Sequence, residues 1–476
     1  MFFSTHNQIP PNPALRSIFK YLLVTAAWVA PFFIRAQTAD AFPPRPMPDR
    51  IVLTWNGDPA TSQAVTWRTD TTINEAFAEV AIAGDMPEFV LQATRINAST
   101  EKLVSDKGAA HYHAATLSPL KPNTLYAYRV GDGKNWSEWF HFKTADNKPG
   151  AFSFIYFGDA QNDLKSLWSR VIRQAYSELP DADFMLHAGD LVNVSTRDEE
   201  WGEWHYAGGW IFGSKSSILT PGNHEYPRSQ AGGDRILAPH WRPGFTLPEN
   251  GPKDLEETVY YVDYQGVRFI SLNTQAMLNN PGQLAAQQQW LENLLKTNPH
   301  PWIIITHHHP VYSTAIGRDN KEIREALQPL YEKYGVDLVL QGHDHAYGRG
   351  HNMQFGTNRY EKGPVYVVSV SGPKMYHLNF DEWMERAASN TQLFQIIHVD
   401  NQKITYQAYT ATGKLYDGFS LTRKKNGTNK FQDQAPANQP ENLELPPATQ
   451  KGMKEEEIKE YREKLNRYLS RKAAGN

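Results

Sequence analysis

No cysteine occurs in the 476 residues, which excludes disulfides, thiolate metal sites, a cysteine nucleophile and lipid attachment through an N-terminal cysteine. Any bound metal must then be held by His, Asp, Glu or Asn. Charge is nearly balanced, at a formal −3 with no long basic run, so the electrostatic footprint of a nucleic-acid binder is missing. No nucleic-acid-binding domain is evident, and the expected partner is a small molecule. Long hydrophobic runs are scarce as well. The one near the N-terminus, "YLLVTAAWVAPFFI", has 14 residues and contains Pro31, short of the about 20 residues that cross a bilayer. Arg16 and Lys20 precede it and "AQTADA" follows, so 1–41 reads as a secretory signal with a cut after Ala41. The expectation is an exported, periplasmic or extracellular protein with no membrane span after signal removal. An uncleaved N-terminal anchor is the alternative.

What is present is ample material for a core: 40% hydrophobic residues, with 22 Phe, 13 Trp and 23 Tyr. At about 100–200 residues per domain the length predicts two or three domains. Over 45–146 the runs "RIVLTW", "QAVTWR", "EVAIAG", "HYHAATL", "TLYAYRVGDG" and "WSEWFHFKT" are short and strand-like, separated by turn signals such as "NGDP" and "KPN". They predict an all-β sandwich of the fibronectin type III kind. Its His111 and His113 have no acidic neighbour in sequence and read as strand residues.

From 150 to 425 the rhythm changes to strand, loop, helix. "FSFIYF" precedes "GDAQND" and the helical "LKSLWSRVIRQAYSEL"; "DFMLHA" precedes "GDLVN"; "SSILTP" precedes "GNHEY"; "WIIIT" precedes "HHHPVY"; "VDLVLQ" precedes "GHDHAY". A helix is expected from about Lys321 to Tyr334. Later alternating runs read as hairpins, so the expected fold is an α/β domain, a mixed β-sheet sandwich flanked by helices. Residues 426–450 are polar and proline-bearing and read as a linker. The tail, 451–476, reads as a charged helix in which Ile458, Tyr461, Leu465 and Leu469 form a narrow apolar stripe.

The polar motifs all stand at the carboxyl ends of strands, where open α/β sheets gather their ligand sites. Together they offer Asp159, Asp190, Asn223, His224, His308, His343 and His345. Carboxylates, an amide and imidazoles suit Zn, Fe or Mn. The set is too large for one tetrahedral site but fits two metals that share a carboxylate and leave positions for water and substrate. Such a pair can lower the pKa of a bridging hydroxide and clamp the oxygens of an in-line displacement, which is hydrolysis at phosphorus.

The order "GD", "GDLVN", "GNHE", "IITHHHP", "GHDH" resembles the calcineurin-like metallophosphoesterases, and with the sandwich in front it looks like the purple acid phosphatase branch. The resemblance spans about 45–425. It implies that Asp159 and His345 hold the first metal, that Asp190 bridges, and that Asn223, His308 and His343 hold the second. It also implies two divalent or mixed-valence ions (Fe, Zn or Mn). His308 is chosen among three consecutive histidines because the family's ligand lies two residues before the proline, here Pro310. His309 then stands behind the ligands and His307 is structural. His224 would contact the phosphoryl group and protonate the leaving group, and Glu225 would be a hydrogen-bonder behind the ligands.

Two positions depart from the family. Purple members carry a tyrosine three residues after the bridging aspartate, where this chain has Asn193, and many others carry a histidine two residues after the first aspartate, where it has Gln161. The amide of Asn193 or Gln161, or water, would fill the gap, and no tyrosinate colour is expected. Arg318 and Arg349 are the candidate substrate contacts, and Trp201, Trp204, Trp210 and Trp241 either stack on substrate or pack their own loops. The leading expectation is an exported binuclear phosphomonoesterase of the acid phosphatase kind, acting on a small-molecule phosphate ester. The alternatives are a phosphodiesterase or nucleotide pyrophosphatase and, from another class, a catalytically inactive binding or adhesion protein.

Overall fold

A computed structural model describes residues 41–229, 232–351, 363–425, 427–445 and 447–474. The signal segment read at 1–41 therefore lies, Ala41 apart, outside the described residues. Strands β1 (Asp49–Thr54), β2 (Gln63–Thr69), β3 (Phe77–Ile82), β4 (Thr94–Asn97), β5 (Ser99–Ser105), β6 (Gly108–Leu117), β7 (Leu125–Gly131) and β8 (Phe140–Lys143) come first. They form two four-stranded antiparallel sheets, ordered β1-β2-β6-β5 and β4-β3-β7-β8. Alternation drives the pairing: Leu53, Val65, Trp67, Ala78, Tyr128 and Val130 point into one shared core. His113 is buried between the hydroxyls of Thr69 (2.8 Å) and Thr100 (2.9 Å), and His111 Nδ1 meets the Ile73 carbonyl (2.7 Å). Both are strand residues with local partners.

The second domain is built on two seven-stranded mixed sheets. One runs β11-β10-β9-β19-β20-β21-β22 and the other β12-β13-β14-β15-β17-β16-β18. In the first, β9 (Phe152–Phe157), β10 (Phe184–His187) and β11 (Ser216–Leu219) are parallel. β12 (Tyr260–Tyr264) opens the second, in which β13 (Val267–Leu272), β14 (Trp302–His307), β15 (Leu338–Gln341) and β17 (Val365–Val368) are parallel, with β16 (Tyr347–His351) and β18 (Arg386–Ala388) completing it. β19 (Leu393–Val399), β20 (Lys403–Thr410), β21 (Leu415–Arg423) and β22 (Asn429–Asp433) extend the first sheet antiparallel.

The inner faces meet in one core, where Phe154 and Phe184 pack edge-on to Phe269 and Leu338, Leu340 and Val367 fill the space behind. Continuous apolar strands such as "WIIIT" follow from burial on both faces. Helices α1 (Ser169–Glu178) and α2 (Asp198–Gly208) cover the first sheet. Helices α3 (Pro281–Lys296), α4 (Lys321–Tyr334) and α5 (Glu455–Ala473) cover the second. Among the described residues no helix is long and apolar enough to cross a membrane.

Two readings of the C-terminal region need correction. The linker expected at 426–450 contributes β22, which pairs with β21 as an edge strand. A single aromatic makes the difference: Phe431 stacks on His351 at 3.8 Å and on Phe419 at 5.5 Å, a contact that the polar composition around it concealed. The tail does form a helix, α5, but its buried stripe is Tyr461, Leu465 and Tyr468, while Leu469 is 46% exposed. The Tyr461 hydroxyl donates to the Leu443 carbonyl (2.6 Å) and that of Tyr468 to Glu441 (2.6 Å), so the ring bodies bury while their polar tips are satisfied.

The two domains meet at a buried ion cluster. Asp198, at the start of α2, takes both nitrogens of Arg50 (2.7 and 2.8 Å) and one of Arg68 (3.1 Å), which reach it from β1 and β2. Burial by itself would raise the Asp198 pKa; the hydrogen bonds from His240 and Arg50 outweigh it and hold the carboxyl well below the usual range. For α5, Leu465→Ala is expected to cost about 2–4 kcal/mol as a large-to-small core change and Leu469→Ala less than about 0.5 kcal/mol. Thermal or urea unfolding of the full chain checks the contrast, and equal costs would mean that the helix does not dock through this face.

Candidate metal centre

Each candidate ligand stands just past the end of a parallel strand. Asp159 follows β9, Asp190 follows β10, Asn223 follows β11, His308 follows β14, and His343 and His345 follow β15. Both sheets contribute, and their carboxyl ends open onto the same place. The turns are tight. Asp190 (φ 50°), His343 (φ 75°) and His345 (φ 45°) adopt left-handed backbone, at about 1–2 kcal/mol per non-glycine residue, a strain that collects at functional sites. The glycines of two motifs permit the closest approaches: a Cβ on Gly222 would lie 2.2 Å from Asp190 Oδ1, and one on Gly342 would lie 2.3 Å from Asp159 Oδ1.

The structure brings together Asp159, Asp190, His308, His343 and His345 as two ligand groups. Asp190, His308 and His343 form one, Asp159, Asp190 and His345 the other, and Asp190 belongs to both. Each carboxylate has one oxygen held and one offered. Asp159 Oδ1 accepts the His343 N–H (2.6 Å) while its Oδ2 is buried without a hydrogen-bond partner. Asp190 Oδ1 accepts the His224 N–H (2.8 Å) while Oδ2 faces His308 Nε2 at 3.1 Å. The imidazole protons are likewise accounted for. His308 Nδ1 donates to the Ala188 carbonyl (2.9 Å) and His345 Nδ1 to the Lys374 carbonyl (3.0 Å), which turns each Nε2 inward as the nitrogen open to a cation.

These inward atoms crowd one another. His308 Nε2 lies 3.1 Å from both Asn223 Oδ1 and His343 Nδ1, and those two are 2.8 Å apart. His345 Nε2 lies 3.2 Å from the Asp159 oxygen that has no partner. Ligands about 2.0–2.1 Å from a tetrahedral ion are about 3.3 Å from each other, so these side-chain atoms have the spacing that cations require. Burial lifts the Asp159 pKa above the carboxylate range, helped by the Asp190 charge. Burial acts on Asp190 in the same sense, but His308 and His224 hold it below that range. Two buried carboxylates cannot share the space comfortably without positive charge.

Gln161 and Asn193 part company here. The Gln161 amide stands at the first group, its Nε2 3.0 Å from Asp190 Oδ2 and 2.8 Å from His345 Nε2, while its Oε1 is buried without a partner. A half-turn of the amide, which is nearly isosteric, would present that oxygen to a cation. Asn193 engages through its backbone, its carbonyl accepting from His224 Nδ1 and its N–H donating to Glu200. His309 packs its ring 4.2 Å from that of His343 and meets Thr274 Oγ1 at 2.9 Å, behind the second group. His307 bonds the His309 carbonyl (2.9 Å) within the buried sheet. Glu225 is buried and accepts N–H groups from Asp190 (2.9 Å), Leu191 (2.9 Å) and Gly222 (2.7 Å), tying two ligand loops together.

Two groups reach the edge of the site. His224 is 24% exposed, with Nε2 3.9 Å from Asp190 Oδ2. Arg318 is 31% exposed and donates to the His343 carbonyl (3.2 Å). Arg349 does not join them, which corrects its reading as a substrate contact. It is fully buried on β16, and its guanidinium is taken by Asp417 (2.9 Å), Asp433 (2.9 Å) and Glu385 (3.3 Å). Trp201, Trp204 and Trp241 are core residues, while Trp210 is 54% exposed. The carbonyls of Ala188 and Lys374, which fix the histidine tautomers, carry no signature in sequence because any residue supplies a carbonyl.

Comparison with known proteins agrees with this geometry. Residues 48–144 match the family model for the purple acid phosphatase N-terminal domain, and residues 152–347 match that for calcineurin-like phosphoesterases. Human (Homo sapiens) acid phosphatase type 7 is 28% identical over 363 residues, covering 69% of this chain and 78% of that protein. Purple acid phosphatase 21 of Arabidopsis thaliana is 28% identical over 267 residues, covering 55% and 58%. The structure of purple acid phosphatase PPD1 from yellow lupin (Lupinus luteus) seeds superposes with a TM-score of 0.68 at 20% identity, covering 81% of this chain and 76% of that one, a likeness of fold.

Gly342→Ala is expected to displace the Asp159 carboxylate and lower metal content at the first group while the chain stays folded. Elemental analysis beside circular dichroism reads both, and unchanged metal content would remove Gly342 from this role. A metal-loaded sample should also lack the strong visible band of a tyrosinate ligand; its presence would contradict the assignment of Gln161 and Asn193 to the positions that differ.

Proposed function

We propose that this chain, in which a purple acid phosphatase N-terminal domain precedes a calcineurin-like phosphoesterase domain, is a metal-dependent hydrolase of phosphoric esters and specifically an exported phosphomonoesterase of the acid phosphatase kind. The observation that carries this reading is the pair of inward ligand clusters sharing Asp190, with His224 and Arg318 standing part-exposed beside them. Asp159, His345 and the turned amide of Gln161 would hold one ion, Asn223, His308 and His343 the other, and Asp190 both. Fe, Zn and Mn suit these donors. When bound, the two cations make a nucleophile of water near neutral pH and offset charge on the phosphoryl oxygens.

The chain's own groups do the rest. Asn223, held by Arg235 through its carbonyl (3.1 Å), keeps the His224 loop beside the clusters. His224 holds its Nδ1 proton on the Asn193 carbonyl, so the second proton of its imidazolium form sits on Nε2, the nitrogen that faces the site. As the P–O bond breaks, the imidazolium passes its Nε2 proton to the departing alkoxide, giving the alcohol and neutral His224, while the oxygen of water becomes the fourth oxygen of phosphate and one of the water's protons returns to Nε2. Arg318 offers a cation to the terminal phosphoryl dianion, a charge that a diester lacks.

Steady-state kinetics on phenyl phosphate and on bis(p-nitrophenyl) phosphate tests the ester class. The monoester is expected to have the higher kcat/KM, and Arg318→Ala is expected to lower it about tenfold, the order of one charge-assisted contact, while changing the diester little. A diester preference would replace this reading with a phosphodiesterase. His308→Ala is expected to abolish turnover together with metal at the second group, and turnover that survives would refute the metal assignment.

A further inference from the structure

Helix α2 starts inside the contact between the two domains and ends its first turn on the loop beside the metal centre. Asp198, its first residue, is buried against Arg50 (2.7 and 2.8 Å), Arg68 (3.1 Å) and His240 (3.3 Å), and its N–H donates to Asp106 of the sandwich (2.8 Å). Two residues on, the Glu200 carboxylate accepts the N–H groups of Asn193 (2.8 Å) and Val194 (2.7 Å). Trp201 Nε1 donates to the Ser195 carbonyl (2.9 Å). Three consecutive loop residues are thereby fixed from one helical turn.

That loop grips His224 at two points. Ser195 Oγ donates to the His224 carbonyl (2.6 Å), and His224 Nδ1 donates to the Asn193 carbonyl. A carbonyl only accepts, so the contact places a proton on Nδ1, fixes the plane of the ring and turns Nε2 toward Asp190 Oδ2, 3.9 Å away. The Glu200 side chain is itself largely covered, so its two hydrogen bonds are shielded from competing water.

We infer that Glu200 is a positioning residue for the reaction: from a helix anchored to the sandwich through Asp198, it fixes the 193–195 loop whose carbonyl aims His224 at the departing oxygen. The sandwich domain then acts on catalysis through a continuous set of hydrogen bonds. The inference rests on the reading of His224 as the proton donor, and the leaving group separates the two. An alkoxide needs that proton and p-nitrophenolate does not, so the readout is the ratio of kcat on p-nitrophenyl phosphate to kcat on an alkyl phosphate such as glycerol phosphate. Metal content and thermal midpoint are measured alongside.

His224→Ala is expected to raise the ratio about a hundredfold, within the range for one general acid. Glu200→Ala should raise it about tenfold, as a misaimed acid retains part of that effect. Glu200→Gln keeps an acceptor oxygen for the two N–H groups and should return the ratio to within about threefold of the parent chain. The double variant Glu200→Ala, His224→Ala should show no increase beyond His224→Ala, because residues acting as a unit are not additive. A ratio unchanged in Glu200→Ala but raised in His224→Ala overturns the positioning role and leaves the proton donor standing, as does additivity in the double variant. A ratio unchanged in His224→Ala overturns the proton donor and the positioning role with it.

Discussion

Side-chain nitrogens and oxygens of five residues face one another around the Asp190 carboxylate, and the architecture of the second domain serves that arrangement. His308 and His345 have given their Nδ1 protons to backbone carbonyls, Asp159 keeps one buried oxygen without a partner, and Asn223 Oδ1 and His343 Nδ1 stand 2.8 Å apart. The unpartnered Asp159 oxygen is unfavourable alone, since a buried acceptor without a donor costs about 1–3 kcal/mol. A cation bound there would offset that cost. The rest of the domain can be understood as what it takes to hold these donors still.

Holding them takes both sheets. Parallel strands bring their carboxyl ends to one edge, and the two sheets supply the flanking ligands of each group while β10 delivers Asp190 between them. The short turns after the strands are possible because glycines yield where a Cβ would meet a ligand carboxylate, and because Asp190, His343 and His345 accept left-handed backbone. Glu225 then ties the Asp190 and Gly222 turns to each other. The strain is local and the packed core behind it, with Phe154, Phe184 and Phe269 in contact, over-determines the geometry.

Much of this was legible in the sequence, for a physical reason. Strand-end motifs are short and local, so "GDLVN", "GNHE" and "GHDH" announced both the candidate donors and their place on the sheet. The two-domain architecture followed from the switch between alternating and continuous apolar runs. Residues whose meaning depends on a distant partner were not legible. Arg349 looked like a loop cation beside a motif, yet Asp417 and Asp433, far along the chain, take its charge. Phe431 made a strand out of a polar stretch by meeting His351 and Phe419. The placing of Gln161 needed three dimensions, because Gln161 and Asn193 are both amides near an aspartate and it is the Gln161 side chain whose contacts with Asp190 and His345 the fold brings about. The domain contact through Arg50 and Asp198 joins residues 148 apart in sequence, and no pattern in either neighbourhood announced it.

The central claim is that one carboxylate serves two ions, and the most direct measurement is metal content by elemental analysis of the reloaded chain beside its Asp190→Asn variant. The account predicts close to two ions per chain in the parent and loss of both together in the variant, since removing the shared charge weakens each group at once. Retention of one full ion by Asp190→Asn, or a parent that binds only one, would contradict a shared centre.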